Sequence, residues 1–173
     1  MFIILMLCWI PISWLVHAFL HENSHATVAR YFGFRTTIRV FPDTIEGRWR
    51  YASFTMTRET RPTLWEQKKI FSAPVLPALI WTLFFGLAGW AAEDETARAC
   101  FALEGVLGGL DLTVWLLSLA RCRAGTDGAM WSEAVDPLGA HRNLLRVIGG
   151  VCVTLLIAAM AVTTWFQIVP AMI

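Results

Sequence analysis

Residues 2–31 read FIILMLCWIPISWLVHAFLHENSHATVARY, and this stretch decides the fold. From Phe2 to about Ala29 it carries no Lys, Arg or Asp. A membrane crossing needs about 20 apolar residues to cover roughly 30 Å of hydrocarbon, so the stretch is long enough to span. Val16-His17-Ala18 would pass as a signal-peptide cleavage site, but the positive n-region such a peptide requires is missing. The expectation is a retained span. It has an unusual end: His21-Glu22-Asn23-Ser24-His25, three ionisable groups in five residues. Ionisable groups inside an apolar segment are expensive and default to function.

The rest of the chain agrees with a membrane reading. Of its 173 residues 57% are hydrophobic and 16% charged, against about 25% charged in a soluble domain. Three further stretches qualify as spans: residues 70–92, bent or unwound by Pro74 and Pro77, about 99–120, and 147–169. All the basic residues but Arg98 fall in two blocks, Arg30 to Lys69 and Arg121 to Arg146, while the connection with Glu93, Asp94, Glu95 and Arg98 is short and acidic. The positive-inside rule places loops 30–69 and 121–146 in the cytoplasm and both termini outside it. A net charge of +1 suggests no nucleic-acid partner. Cys8, Cys100, Cys122 and Cys152 are scattered singly, with no C-x-x-C pair, so neither a disulfide framework nor a thiolate metal site is expected. The fold class is an all-α polytopic membrane protein: one membrane domain, 1–173, of about four transmembrane helices with a small cytoplasmic β-hairpin between the first two.

The hairpin is read from partial alternation of polar and apolar residues in 37–41 and 48–54, with turns at Pro42-Asp43 and Glu46-Gly47. Pro62 helps end the extended stretch, and Thr63-Leu64-Trp65-Glu66 has the capping-box spacing that starts a helix.

H-E-x-x-H on a helix carries the chemistry. Spacing i, i+4 stacks His21 and His25 on one face, where both can bind one zinc ion, and Glu22 lies close enough to take a proton from water activated by that metal. His17, one turn earlier on the same face, is either a group that supports a ligand or, the favoured reading, a packed, hydrogen-bonded histidine. A catalytic zinc keeps three protein ligands, and two acids compete for the third place. Asp111 lies about 15 Å before Arg121 and His21 about 14 Å before Arg30, at about 1.5 Å per residue, so their depths match. Asp127, in Gly125-Thr126-Asp127-Gly128, reaches the zinc only if the chain folds back, which the flanking glycines allow. Glu104 is expected to be an interfacial or hydrogen-bonded acid and not a ligand, and Gly105 with Gly109 to allow close helix packing. Bis-histidine haem would need a histidine on a second span; residues 70–92, 99–120 and 147–169 contain none, and His141 is in a loop. A proton-coupled transporter using Glu104 and Asp111 would leave H-E-x-x-H a coincidence.

On His21-Glu22-x-x-His25 in the first span, the hairpin after it and Asp127-Gly128 after the third span, the sequence resembles the site-2 protease family of intramembrane zinc metalloproteases. The family's Asn-x-x-Pro ahead of the Asp-Gly is missing, and its Gly-Pro in the second core span is represented only by Ser72-Ala73-Pro74, as in a divergent, short member. The resemblance implies Zn2+ held by His21, His25 and Asp127, with Asp111 the rival ligand and Glu22 the catalytic base. It implies hydrolysis of peptide bonds in membrane-embedded or membrane-tethered protein substrates near the cytoplasmic leaflet. The partners are then a membrane protein substrate, the lipid bilayer and other membrane subunits, with a bacterial inner membrane as the expected location. The competing reading is a non-catalytic membrane subunit or pseudoprotease.

Overall fold

The computed structural model describes residues 2–40, 43–45, 48–50, 52–122 and 125–172. The chain is mostly helical. Helix α1 (Phe2–Tyr31) has 30 residues, about 45 Å at about 1.5 Å each. Its end is closed by Gly33 at φ 81°, where the Gly33 N–H donates to Arg30 O and the Phe34 N–H to Ala29 O. This is a Schellman cap, a 6→1 bond enclosing a 5→2 bond around a left-handed residue. The apolar contact that accompanies such caps is present too: Phe34 packs on Ala29 and on Ile70.

Strands β1 (Arg35–Arg39), β2 (Asp43–Ile45), β3 (Arg48–Arg50) and β4 (Ser53–Thr57) follow. The expected hairpin is there, with its pairing shifted. β1 pairs antiparallel with β4, from Arg35 opposite Thr57 to Arg39 opposite Ser53, and β2 pairs with β3 as a separate outer ladder. The alternation runs on to Thr57 because Phe54 and Met56 both pack on the Ala29–Phe34–Ile70 cluster, which fixes the register. Of the expected turns, Pro42, Glu46 and Gly47 lie outside the described residues, as do Phe41 and Tyr51.

Helix α2 (Leu64–Ser72) starts at the expected capping box: the Glu66 N–H donates to Thr63 Oγ1 and the Thr63 N–H to Glu66 Oε2. Arg58 ties this start to the rest. It donates to both Glu66 oxygens, at 2.9 and 3.0 Å, and to Phe32 O, and its guanidinium lies over the Phe34 ring. The chain breaks at Ala73-Pro74 and continues as α3 (Val75–Ala91). Helix α4 (Glu95–Arg121) begins at an Asp94 N-cap. A short helix not foreseen from the sequence, α5 (Asp127–Val135), follows it, and α6 (Arg142–Thr163) continues through a wide turn at Thr164–Ile168 and a tight one at Val169–Met172.

Among the described residues three helical stretches are long and apolar enough to cross a membrane: Leu64–Ala91, Glu95–Arg121 and Arg142–Ile168. α4 is the central one, packed by α1, α3, α5 and α6. Its glycines permit this. A Cβ on Gly105 would lie 2.9 Å from the Gly86 nitrogen, and one on Gly109 would lie 2.7 Å from Met160 Sδ. Close backbone approach through small residues is how helices pack where no water drives association. Large apolar side chains such as Ile80, Phe84, Val151 and Leu155 are left exposed on the outer faces of α3 and α6.

Candidate metal centre

Three donor atoms converge between α1 and α5. His21 Nε2 and His25 Nε2 each lie 3.1 Å from Asp127 Oδ2 and 3.3 Å from each other. Among the described residues no other His/Cys/Asp/Glu group brings three ligand atoms so close together. The two histidines are stacked by helical spacing. Asp127 arrives by the fold-back that its glycines make possible. Gly125 takes φ 76° at the reversal, and Gly128 lies against α4 so tightly that a Cβ would overlap Leu119, Ser118 and Trp115. Its N–H donates to Ser118 Oγ. Gly125 thus supplies conformation and Gly128 supplies space. Gly128→Ala is expected to push the start of α5 outward and to weaken any metal binding at this cluster by about tenfold or more while the helices stay folded, as chelator competition would read; unchanged affinity would separate Gly128 from the placing of Asp127.

The other ring nitrogens are fixed by partners on other helices. His21 Nδ1–H donates to Asp111 Oδ1 at 2.8 Å, and His25 Nδ1–H donates to the Ile70 carbonyl at 2.6 Å. That carbonyl is available for a local reason. In a continuous helix it would accept from residue 74, and proline has no N–H to give. Phe71 O, freed at the same break, accepts from Trp115 Nε1. Phe54 of β4 stacks on the His25 ring, with centroids 5.0 Å apart and planes 10° from parallel. His25 is buried; His21 and Asp127 are half-buried.

This arrangement sets the protonation pattern. In the neutral rings, with both Nδ1 atoms carrying hydrogen, two imidazole lone pairs and a carboxylate oxygen point at one another with no donor between them. A cation fits such a point. Two nitrogens each about 2.0–2.1 Å from a tetrahedral zinc stand about 3.3–3.4 Å apart, which is the spacing seen. A metal-bound histidine almost always gives its second N–H to a carboxylate or a backbone carbonyl; His21 does the first and His25 the second. The residues present fit zinc.

Of the two acids the sequence left in competition, Asp127 joins the three-atom cluster and Asp111 stands on the opposite edge of the His21 ring. The matched depth of Asp111 corresponds to its place beside His21 Nδ1. Ile70 O and Ser118 Oγ were not foreseen; Pro74, four residues after Ile70, was the one sequence clue to the first. Glu22 lines a cavity of about 850 Å3 together with His21, Asp111 and Asp127. The cavity runs from Trp14 on α1 to Ser53, Phe54 and Met56 on β4. Glu104 is hydrogen-bonded, as expected, and His17 Nε2 stops 3.6 Å from its Oε2.

Comparison of the chain with protein-family models, with curated proteins and with solved structures found no match.

Proposed function

We propose that the chain is a four-span membrane zinc endopeptidase similar to the site-2 proteases, cutting membrane-embedded or membrane-tethered substrates near the cytoplasmic leaflet. The observation that carries the proposal is the convergence of His21 Nε2, His25 Nε2 and Asp127 Oδ2 on the wall of a cavity that Glu22 shares. In this reading α1 is the fourth span, about 45 Å long against about 30 Å of hydrocarbon. The basic residues of 30–69 and 121–146 keep those segments in the cytoplasm. Reporter tags at Glu46 and Gly128 should accordingly read cytoplasmic, and tags at Glu93 and the C-terminus external. An external signal at Gly128 would break the four-span topology.

His21, His25 and Asp127 would hold the zinc, which when bound supplies Lewis-acid polarisation of the scissile carbonyl and makes water a nucleophile near neutral pH. The chain's own groups do the rest. Asp111 and the Ile70 carbonyl keep both imidazoles in the tautomer that presents Nε2. Glu22 takes the proton of the attacking water on its carboxylate and then delivers it to the leaving amide nitrogen, so that the carboxylate is regenerated as the C–N bond breaks. β4 is the strand that borders the cavity, and an extended substrate can lie along it by main-chain pairing, leaving alternate side chains to contact the cavity walls.

The test is cleavage in proteoliposomes. A quenched fluorescent peptide carrying one apolar helix and an extended cytoplasmic flank should be cut, 1,10-phenanthroline should stop the cutting, and added zinc should restore it. Cleavage that resists the chelator would contradict the proposal.

A further inference from the structure

Along α1 one row of residues runs Trp9, Ser13, His17, His21, His25 and Ala29, each four after the last; from Ser13 on they are buried or half-buried, and the exposed Trp9 reaches in through its indole N–H. Around its outer half the apolar side chains are exposed, with Ile12, Leu15 and Val16 all above a third. Among the described residues from 4 to 20 the two buried ones are Ser13 and His17, at 4% and 5% exposure. The buried side chains of this half of α1 are thus polar among the described residues, and the contacts gather on one acid. Glu104 of α4, 7% exposed, accepts from Trp9 Nε1–H, from Ser13 Oγ–H at 3.0 Å and from Trp81 Nε1–H of α3 at 3.2 Å. The His17 ring stands edge-on to Trp81.

Below this point α1 borders open space at His17 and His21. The cavity of about 850 Å3 lies along one side of His17 and His21, and a small void of about 20 Å3, bounded also by Pro74 and Ala78, lies along another. Firm packing resumes at His25, stacked on Phe54, and continues to Ala29, against Phe34 and Ile70. α1 is thus pinned at two places with a ligand-bearing stretch between them. In hydrocarbon a displaced indole or hydroxyl finds no water to bond, so the upper pin holds one position.

We infer that Glu104 is a positioning residue of the metal centre: by collecting Trp9 and Ser13 it fixes the outer half of α1 on α4 and so holds His21 and His25 in register with Asp111 and Asp127. The inference rests on the metal reading for its consequence, though not for its geometry. Glu104 touches neither the donor atoms nor the cavity; it acts through the helix.

The experiment uses the full chain in nanodiscs with the native cysteines replaced. Spin labels at Phe19 and Leu110, both exposed, report the α1–α4 distance, and labels at Ile80 and Leu110 report α3–α4 as an internal control. Glu104→Leu should broaden the first distance distribution and leave the second narrow. It should also weaken zinc affinity roughly tenfold or more, the range typical of losing a supporting group, and shift the visible spectrum of the cobalt-loaded protein. Glu104→Gln, which keeps one acceptor, should restore the narrow distribution and most of the affinity. Two results would overturn the inference: a folded Glu104→Leu with wild-type distances and affinity, or equal broadening of both pairs. If the wild type binds no zinc while Glu104→Leu broadens only α1–α4, the anchoring role of Glu104 stands and the metal reading falls.

Discussion

Glu22→Gln is expected to retain zinc and to lose peptide cleavage by about 10²–10⁴-fold, the range typical of a general base and acid. The amide is close to isosteric with the carboxylate, so the cavity that Glu22 lines with His21 and Asp127 keeps its shape. What is lost is the oxygen that accepts a proton from the attacking water and returns it to the leaving nitrogen. Because α1 places Glu22 one residue after His21, outside the Nε2/Nε2/Oδ2 cluster, metal content should not change. Single-turnover cleavage measured beside zinc content separates the two effects. A Gln variant that cuts at the wild-type rate would remove Glu22 from the chemistry and leave the metal centre intact.

Asp127→Asn and Asp111→Asn should differ in kind. The first exchanges an anionic oxygen in contact with both Nε2 atoms for a neutral amide oxygen, and the expected outcome is protein without bound zinc. The second leaves all three donors in place and weakens only the hold on the His21 ring, a loss of about 10–100-fold in affinity. Chelator competition, with circular dichroism to show that both variants remain helical, reads the difference. The reverse order, with Asp111→Asn empty and Asp127→Asn loaded, would make the deep aspartate the ligand.

Much of the fold was legible because apolar length and proline are local signals. The break at Ala73-Pro74, the Thr63–Glu66 capping box and the close contacts of Gly105 and Gly109 all lie where the sequence put them. The hairpin register was not legible: it depends on Phe54 and Met56 packing against residues of α1 and α2 that are distant in the chain. The site divides along the same line. The two histidines on one helix are visible as a spacing. The aspartate that joins them depends on a reversal after α4 and on the room Gly128 leaves, so Asp127 and Asp111 could not be separated by depth and motif alone. The Ile70 carbonyl belongs to the backbone, where a side-chain pattern has nothing to say, and only the missing N–H of Pro74 hints at it.

The most direct measurement is the metal itself. The protein should be purified in mild detergent without chelators, equilibrated with zinc, passed through a desalting column and assayed by mass spectrometry of the metal. The wild type should retain about one zinc per chain, and His21→Ala, His25→Ala and Asp127→Asn should each retain close to none. A folded wild-type protein that leaves the column empty, or ligand variants that keep zinc as well as the wild type does, would contradict the metal centre and the peptidase built on it.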